Sequence, residues 1–140
     1  MSQIWIYDTT SPFGIDKNGG ITYFKVALDR AKHSFVIDAI QDREESEKNK
    51  RNIEVISSLK ELKDSQILLR IRLKVFRGRI NVKMNYDKGG NKEDYLKTLE
   101  DIGPLDKLNV RFSLGDSYVF NWEGTSRLGI NIYLEEVVIV

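Results

Sequence analysis

Ile67-Leu68-Leu69-Arg70-Ile71-Arg72-Leu73-Lys74-Val75 alternates between apolar and basic side chains from Leu69 onward. Leu69, Ile71, Leu73 and Val75 fall on one side and Arg70, Arg72 and Lys74 on the other, the period of two that a strand imposes. A turn near Arg77-Gly78 then gives way to Ile80, Val82 and Met84, which alternate with Arg79, Asn81 and Lys83. The pair predicts a β-hairpin with one apolar and one basic face. Residues 66–85 carry only basic charges (Arg70, Arg72, Lys74, Arg77, Arg79 and Lys83), whereas both flanking segments hold more acids than bases. The net charge of the chain is +1, so its charge is segregated rather than absent.

C-terminal to this segment, Asp87-Lys88-Gly89-Gly90 reads as a turn. Asn91 with Asp94 reads as the cap of a helix whose apolar stripe is Tyr95, Leu96, Leu99 and Ile102. Gly103-Pro104 stops that helix. Three strands follow, Val110 to Leu114, Tyr118 to Trp122 and Leu128 to Val140, with turns at Gly115-Asp116 and Glu123-Gly124. N-terminal to it, Ile4-Trp5-Ile6-Tyr7 reads as a strand. The spacing of Ile21, Phe24, Ala27, Leu28 and Ala31 predicts a helix. Phe35 to Ile40, almost wholly apolar, predicts a strand buried on both faces. Gln41 to Lys50 has no apolar side chain and is a loop or a solvated helix start. Ile53, Ile56, Leu59 and Leu62 predict a further helix ending near Asp64. The order is βαβα-ββ-α-βββ: a single domain over residues 1–140, of α/β or α+β class, with a mixed sheet of about six to seven strands and three helices packed on it.

At 140 residues the chain has the length of one domain, and 41% hydrophobic with 31% charged residues is the balance of a water-soluble globule. It has no cysteine, which excludes disulfide frameworks, thiolate zinc sites and cysteine nucleophiles. The N-terminus has no signal-peptide pattern, and no apolar run approaches the ~20 residues that span a bilayer. A cytoplasmic protein is the expectation. Gly14, Gly19, Gly20, Gly89 and Gly90 match no phosphate-loop spacing, so no cofactor is expected.

The chemistry-bearing features are few. Arg70, Arg72, Lys74, Arg79 and Lys83 form the first, an anion-binding face on the predicted hairpin. It suits a non-enzymatic module that docks a nucleic-acid backbone or an acidic protein surface. The plain alternative is a solvated sheet face whose cations pair with acids such as Glu135 and Glu136. Few aromatics adjoin the segment, only Phe76 and Tyr86, which argues against a stacking platform for single strands. Asp8, Asp38 and Asp42 form the second feature. As strand-end carboxylates they could hold Mg²⁺ for a metal-dependent phosphodiesterase or phosphatase, or else serve as caps and a hydrogen-bonded buried Asp. His33, the only histidine, reads as a helix-end cap rather than a catalytic base. Tyr118, Phe120 and Trp122 alternate on one side of a strand, either as anchors for a protein partner or as core. Val137-Val138-Ile139-Val140 is an interior strand or an edge that pairs with a second copy in a homo-oligomer.

Two resemblances bear on the alternatives. The run Ile6-Tyr7-Asp8-Thr9-Thr10 resembles the opening strand of haloacid-dehalogenase-type phosphotransferases, with Thr10 where that family carries a second acid. The order of elements from Phe24 through Leu73 resembles one lobe of the phospholipase D-like fold. His33 is followed by Ser34 and Phe35, so the HxK motif is missing, and the resemblance implies a catalytically silent domain used for interaction.

Overall fold

Closure of a barrel organises this chain. In the computed structural model, which describes residues 2–18, 20–77, 79–86 and 95–140, there are ten strands and two helices. They are β1 (Ser2–Thr9), β2 (Ile15–Asn18), β3 (Ile21–Asp29), α1 (Ser34–Arg51), β4 (Leu59–Glu61), β5 (Gln66–Arg72), β6 (Val75–Phe76), β7 (Arg79–Ile80), β8 (Lys83–Tyr86), α2 (Tyr95–Asp101), β9 (Leu108–Trp122) and β10 (Thr125–Ile139). The class is mixed α+β, with an eight-stranded sheet in the order β1-β9-β10-β5-β3-β2, β4 added on β5 and β8 on β10. Just beyond β1, Thr10 bridges antiparallel to Ala27 of β3, and the Ala27 N–H donates to the Thr10 carbonyl at 2.8 Å. That link joins the β1 end of the path to β3, so β1, β3, β5, β10 and β9 form a ring with β2 outside it.

Alternation fills the ring. Ile6, Phe24, Val26, Leu28, Leu69, Ile71, Val110, Phe112, Ile132 and Leu134 are buried, with Phe24 and Phe112 the largest fully enclosed side chains. The residues between them, including Tyr23, Lys25, Arg70, Arg72 and Tyr133, stand on the outer side.

Several sequence expectations are overturned by this closure. Ile21 to Asp29 is a strand, not a helix: Phe24, Val26 and Leu28 satisfy a period of two as well as Phe24, Ala27 and Leu28 satisfy three and four. Seven register pairs with β5 decide between them. Phe35 to Ile40 is helical, not a strand. Val36, Ile37 and Ile40 form its buried stripe while Phe35 is 81% exposed. The polar run Gln41 to Lys50 is the remainder of the same helix, solvated apart from the side facing the sheet, and it ends at Asn52 in the left-handed conformation (φ 55°) with its N–H on the Lys48 carbonyl. The helix expected over Ile53 to Leu62 is extended chain: Val55 bridges to Leu128, and β4 pairs with β5. These exchanges also dissolve the phospholipase D-like order of elements and leave two helices, not three, among the described residues.

The predicted hairpin is smaller than its pattern. β5 pairs with β3, β4 and, at Arg72, with Tyr133 of β10. Among the described residues the register pairs across the turn are Val75↔Ile80 and Phe76↔Arg79, continued by the Asn81 N–H donating to the Lys74 carbonyl at 2.8 Å, and β8 instead runs parallel to β10. Toward the C-terminus, β9 continues through Gly115-Asp116 without turning, and a register shift between Ile130 and Ile132 takes up the bend. The turn at Glu123-Gly124 is there, with φ of 48° and 81°, the two-residue connection that matches strand twist. Glu136–Ile139 is flanked by β8 on one side and β9 on the other, so this stretch is an interior strand without a free edge for a second copy. α2 lies where a helix was predicted, while the turn at residues 87–90, Gly78 and the Asn91/Asp94 cap fall outside the described residues. No helix among the described residues is long and apolar enough to cross a membrane.

α1 carries one buried acid. Glu44 is 8% exposed and accepts a hydrogen bond from the Ser57 hydroxyl at 2.8 Å, and burial pushes its carboxyl above the ordinary 4.5. The folded state therefore binds this proton more readily than the unfolded chain, and ionised Glu44 opposes folding above its raised value. Glu44→Gln keeps the acceptor for Ser57 and removes that opposition. We expect the variant to melt at higher temperature at neutral pH, with the difference shrinking as pH falls and vanishing below about 4.5. Thermal unfolding followed by circular dichroism across pH checks it, and a lower Tm for the variant at pH 7 refutes it.

Candidate functional site

The register lays a row of outward side chains across five strands. Tyr23 of β3 faces Arg72 of β5, Arg72 faces Tyr133 of β10, Tyr133 faces Ser113 of β9, and Ser113 faces Gln3 of β1. Beside this row Arg70 pairs with Lys25, and the Arg70 guanidinium lies 4.5 Å from the centre of the Tyr23 ring. The Arg72 guanidinium is 5.8 Å from the Tyr133 ring centre and the Lys74 ammonium 5.7 Å from it. Cations are thus held over rings by the attraction of a positive charge for the negative aromatic face. Lys25 is paired with Asp16 at 3.4 Å and Lys74 with Glu135, whereas among the described residues neither Arg70 nor Arg72 has an acidic partner.

Beyond the barrel, β9 and β10 continue as a two-stranded arm closed by the Glu123-Gly124 turn. Tyr118, Phe120 and Trp122 line one side of it, directly opposite Gly129, Arg127 and Thr125. Their ring centres follow at 5.6 Å and 6.4 Å, the second contact edge-on. Gly129 is required here: a Cβ on it would meet the Tyr118 ring at 2.4 Å, so the ring lies across bare backbone. Partial burial pushes the Tyr118 phenol up, with Tyr23 and Tyr133 acting the same way and Arg72 and Arg70 opposing. Gly129 precedes Tyr133 by four residues on β10, so the Tyr118 ring sits where the arm meets the barrel row. From behind, α1 braces the arm, with Arg43 donating to the Gly115 carbonyl at 3.0 Å and Ser117 donating to Glu47 at 2.9 Å.

The result is an outer strip of rings and cations: Trp122, Phe120 and Tyr118 on the arm, then Tyr23, Arg70, Arg72 and Tyr133 on the barrel. Where β5 runs out, the strip ends in a polar cavity of about 350 Å³. Of the residues singled out in the sequence, Arg70, Arg72 and Lys74 lie on this strip. Arg79 and Lys83 are exposed on β7 and β8 and belong to different neighbours. Glu135 does pair with a cation of the patch, as the plain alternative foresaw, while Glu136 takes Arg111 instead, at 3.0 Å.

Aromatic rings do stand beside the cations, and they come from β3, β9 and β10, far from residues 66–85 in the chain. The alternation of Tyr118, Phe120 and Trp122 was visible in the sequence; Arg127 was missed, although the Glu123-Gly124 turn was the signal that sets it opposite Phe120. Tyr23 and Tyr133 left no signal, since only the register brings them beside Arg70 and Arg72.

The carboxylate constellation does not assemble. Asp8 sits at the end of β1 and is paired with Lys32, which with its hydrogen bond holds the carboxyl below its ordinary range. Asp38 and Asp42 are exposed one turn apart on α1, not at strand ends. Among the described residues no group of three or more His, Asp or Glu side chains gathers as a metal site. His33 stands at the N-cap position of α1. Its Nδ1 accepts from the Asp29 N–H at 2.9 Å, so Nε2 carries the proton and donates to the Tyr7 carbonyl at 2.8 Å. Both nitrogens are occupied, which makes it a tie between β1 and the α1 entrance.

No protein-family model matches the sequence, and no curated protein matches it. Solved structures do. The chain is similar to gp2.5, a single-stranded DNA binding protein encoded by bacteriophage T7, with 17% identity and a TM-score of 0.65 over 100% of this chain and 92% of that one. It is similar to the single-stranded DNA-binding protein from bacteriophage Enc34 in complex with ssDNA, with 14% identity and a TM-score of 0.63 over 99% and 85% of the two chains. For that protein without ssDNA the values are 12%, 0.66, 98% and 79%. At these identities the likeness establishes the fold. The ring order β1-β3-β5-β10-β9 is that of the five-stranded OB-type barrel.

Proposed function

We propose that this chain is a non-enzymatic module that binds single-stranded nucleic acid along the strip from Trp122 to Tyr133. The observation that carries the reading is the interleaving of Tyr23, Arg70, Arg72 and Tyr133 on one outer face. Rings give exposed bases a surface to stack on, and guanidinium groups between them meet the phosphates. An acidic protein surface would need the cations but not the rings, so of the two partners considered for the basic face, nucleic acid fits better. A duplex hides its bases and could use only the cations.

Three further points support the reading. The strip occupies the second and third barrel strands (β3 and β5) and the connection between the fourth and fifth (the β9–β10 arm), the places where OB-type barrels bind oligonucleotides. The solved structures of similar fold are described as single-stranded DNA-binding proteins, one of them with ssDNA bound. Arg127, opposite Phe120, extends the positive charge along the arm. Arg79 and Lys83, on other elements, add to the surrounding positive field rather than to the track.

The test is titration of labelled oligo-dT, the matching duplex and polyglutamate at a series of salt concentrations. Oligo-dT should bind at least about tenfold tighter than duplex, since stacking contributes ~1–3 kcal/mol per base. With Arg70, Arg72 and Arg127 engaged, the plot of log K against log salt should have a slope of about −2, at ~0.7 per phosphate contact. Absence of binding at low salt, or equal affinity for duplex, refutes the proposal.

A further inference from the structure

The cavity at the end of the strip is walled by Gly20, Thr22, Arg72, Lys74 and Tyr133 among others, with a volume of about 350 Å³. Arg72 and Lys74 flank the buried Leu73, whose N–H is anchored on the Thr22 carbonyl at 2.9 Å, so both cations project outward from a fixed piece of backbone. Both cations approach the Tyr133 ring, at 5.8 Å and 5.7 Å from its centre. The two differ in one respect. Arg72 has no acidic partner among the described residues, while the Lys74 ammonium is clasped by Glu135 Oε1, which also accepts from the Ser113 hydroxyl at 2.8 Å. The Lys74 and Glu135 side chains are only 29% and 15% exposed. A carboxylate oxygen thus occupies the position beside Lys74 that a phosphate oxygen would take.

Resting on the single-strand reading, we infer that this cavity is a phosphate subsite of the nucleic-acid track, and that Glu135 is an internal competitor which holds Lys74 until a phosphodiester replaces it. Arg72 receives the incoming phosphate. Lys74 joins only by exchanging one anion for another, which releases no counterion and adds little affinity. Glu135 therefore sets how tightly the chain holds a strand, because the cation that shares the cavity wall with Arg72 is neutralised in advance.

Glu135→Gln tests this directly. Glutamine keeps the acceptor for Ser113, fills the same space and frees Lys74. One added phosphate contact at ~0.7 in slope predicts oligo-dT binding about eightfold tighter at about 50 mM salt and about threefold tighter at about 200 mM, with the log–log slope steeper by about 0.7. Adding Lys74→Gln to that variant should remove the gain. Glu61→Gln takes an acid from β4 whose partner is Arg30, away from the cavity, and should change affinity less than about twofold by the same salt arithmetic. If the parent binds oligo-dT and Glu135→Gln binds no tighter, or Glu61→Gln gains as much, the subsite is refuted while the single-strand reading stands. If neither the parent nor Glu135→Gln binds oligo-dT at low salt, the single-strand reading itself is refuted, and the subsite with it.

Discussion

Alanine at both Tyr23 and Tyr133 weakens oligo-dT binding by about two orders of magnitude or more and leaves the fold intact. Each ring that carries a base is worth ~1–3 kcal/mol, so two together cover roughly 30-fold to 10⁴-fold. The substitution also unseats Arg70 and Arg72, whose guanidinium groups rest on these rings at 4.5 Å and 5.8 Å. Each such contact contributes ~0.5–1 kcal/mol at exposed sites. Both tyrosines are outside the barrel and half-buried, so truncation opens no internal cavity. Fluorescence anisotropy on the double variant, with melting as the folding control, reads the effect. The contrary outcome is equally clear: if binding is purely electrostatic, the double variant keeps its affinity and only neutralising Arg70 and Arg72 abolishes it.

The largest effect on stability is expected at Phe24. It is fully enclosed in the barrel with Phe112, and Phe24→Ala removes a whole ring from a closely packed interior, costing about 3–5 kcal/mol. For a domain of this size that lowers Tm on the order of 10–20 °C. Phe35, 81% exposed on the first turn of α1, is the contrast. Phe35→Ala should stay within about 0.5 kcal/mol of the parent. Urea unfolding of the two variants separates this barrel from the arrangement read off the local pattern, in which Phe35 sits in a strand buried on both faces. Equal losses at the two positions would contradict the barrel.

The two phenylalanines also show where the sequence is ambiguous. Phe24 fits a helix stripe with Ala27 and Leu28 and a strand face with Val26 and Leu28. Over nine residues neither period excludes the other. Phe35 to Ile40 is an apolar run too short to distinguish a buried strand from the first turns of a helix, and its polar continuation was the better guide. Tertiary pairing settles both: β5 offers Ile21–Asp29 an open edge, and the apolar side chains that α1 buries are Val36, Ile37 and Ile40 rather than Phe35.

The candidate site divides in the same way. By itself the sequence determined that a strand runs through residues 69–72, with Leu69, Ile71 and Leu73 inward and Arg70, Arg72 and Lys74 outward. It also determined that Tyr118, Phe120 and Trp122 share a side, and that Glu123-Gly124 reverses the chain. Each of these is a short-range consequence of side-chain alternation and backbone freedom. Which aromatic rings meet which arginines was decided by the tertiary structure alone. Closure of the barrel through Thr10 and Ala27 sets the register of β3 on β5 and brings β10 to Arg72. Register between strands distant in the chain depends on how the whole core packs, and no local pattern encodes it.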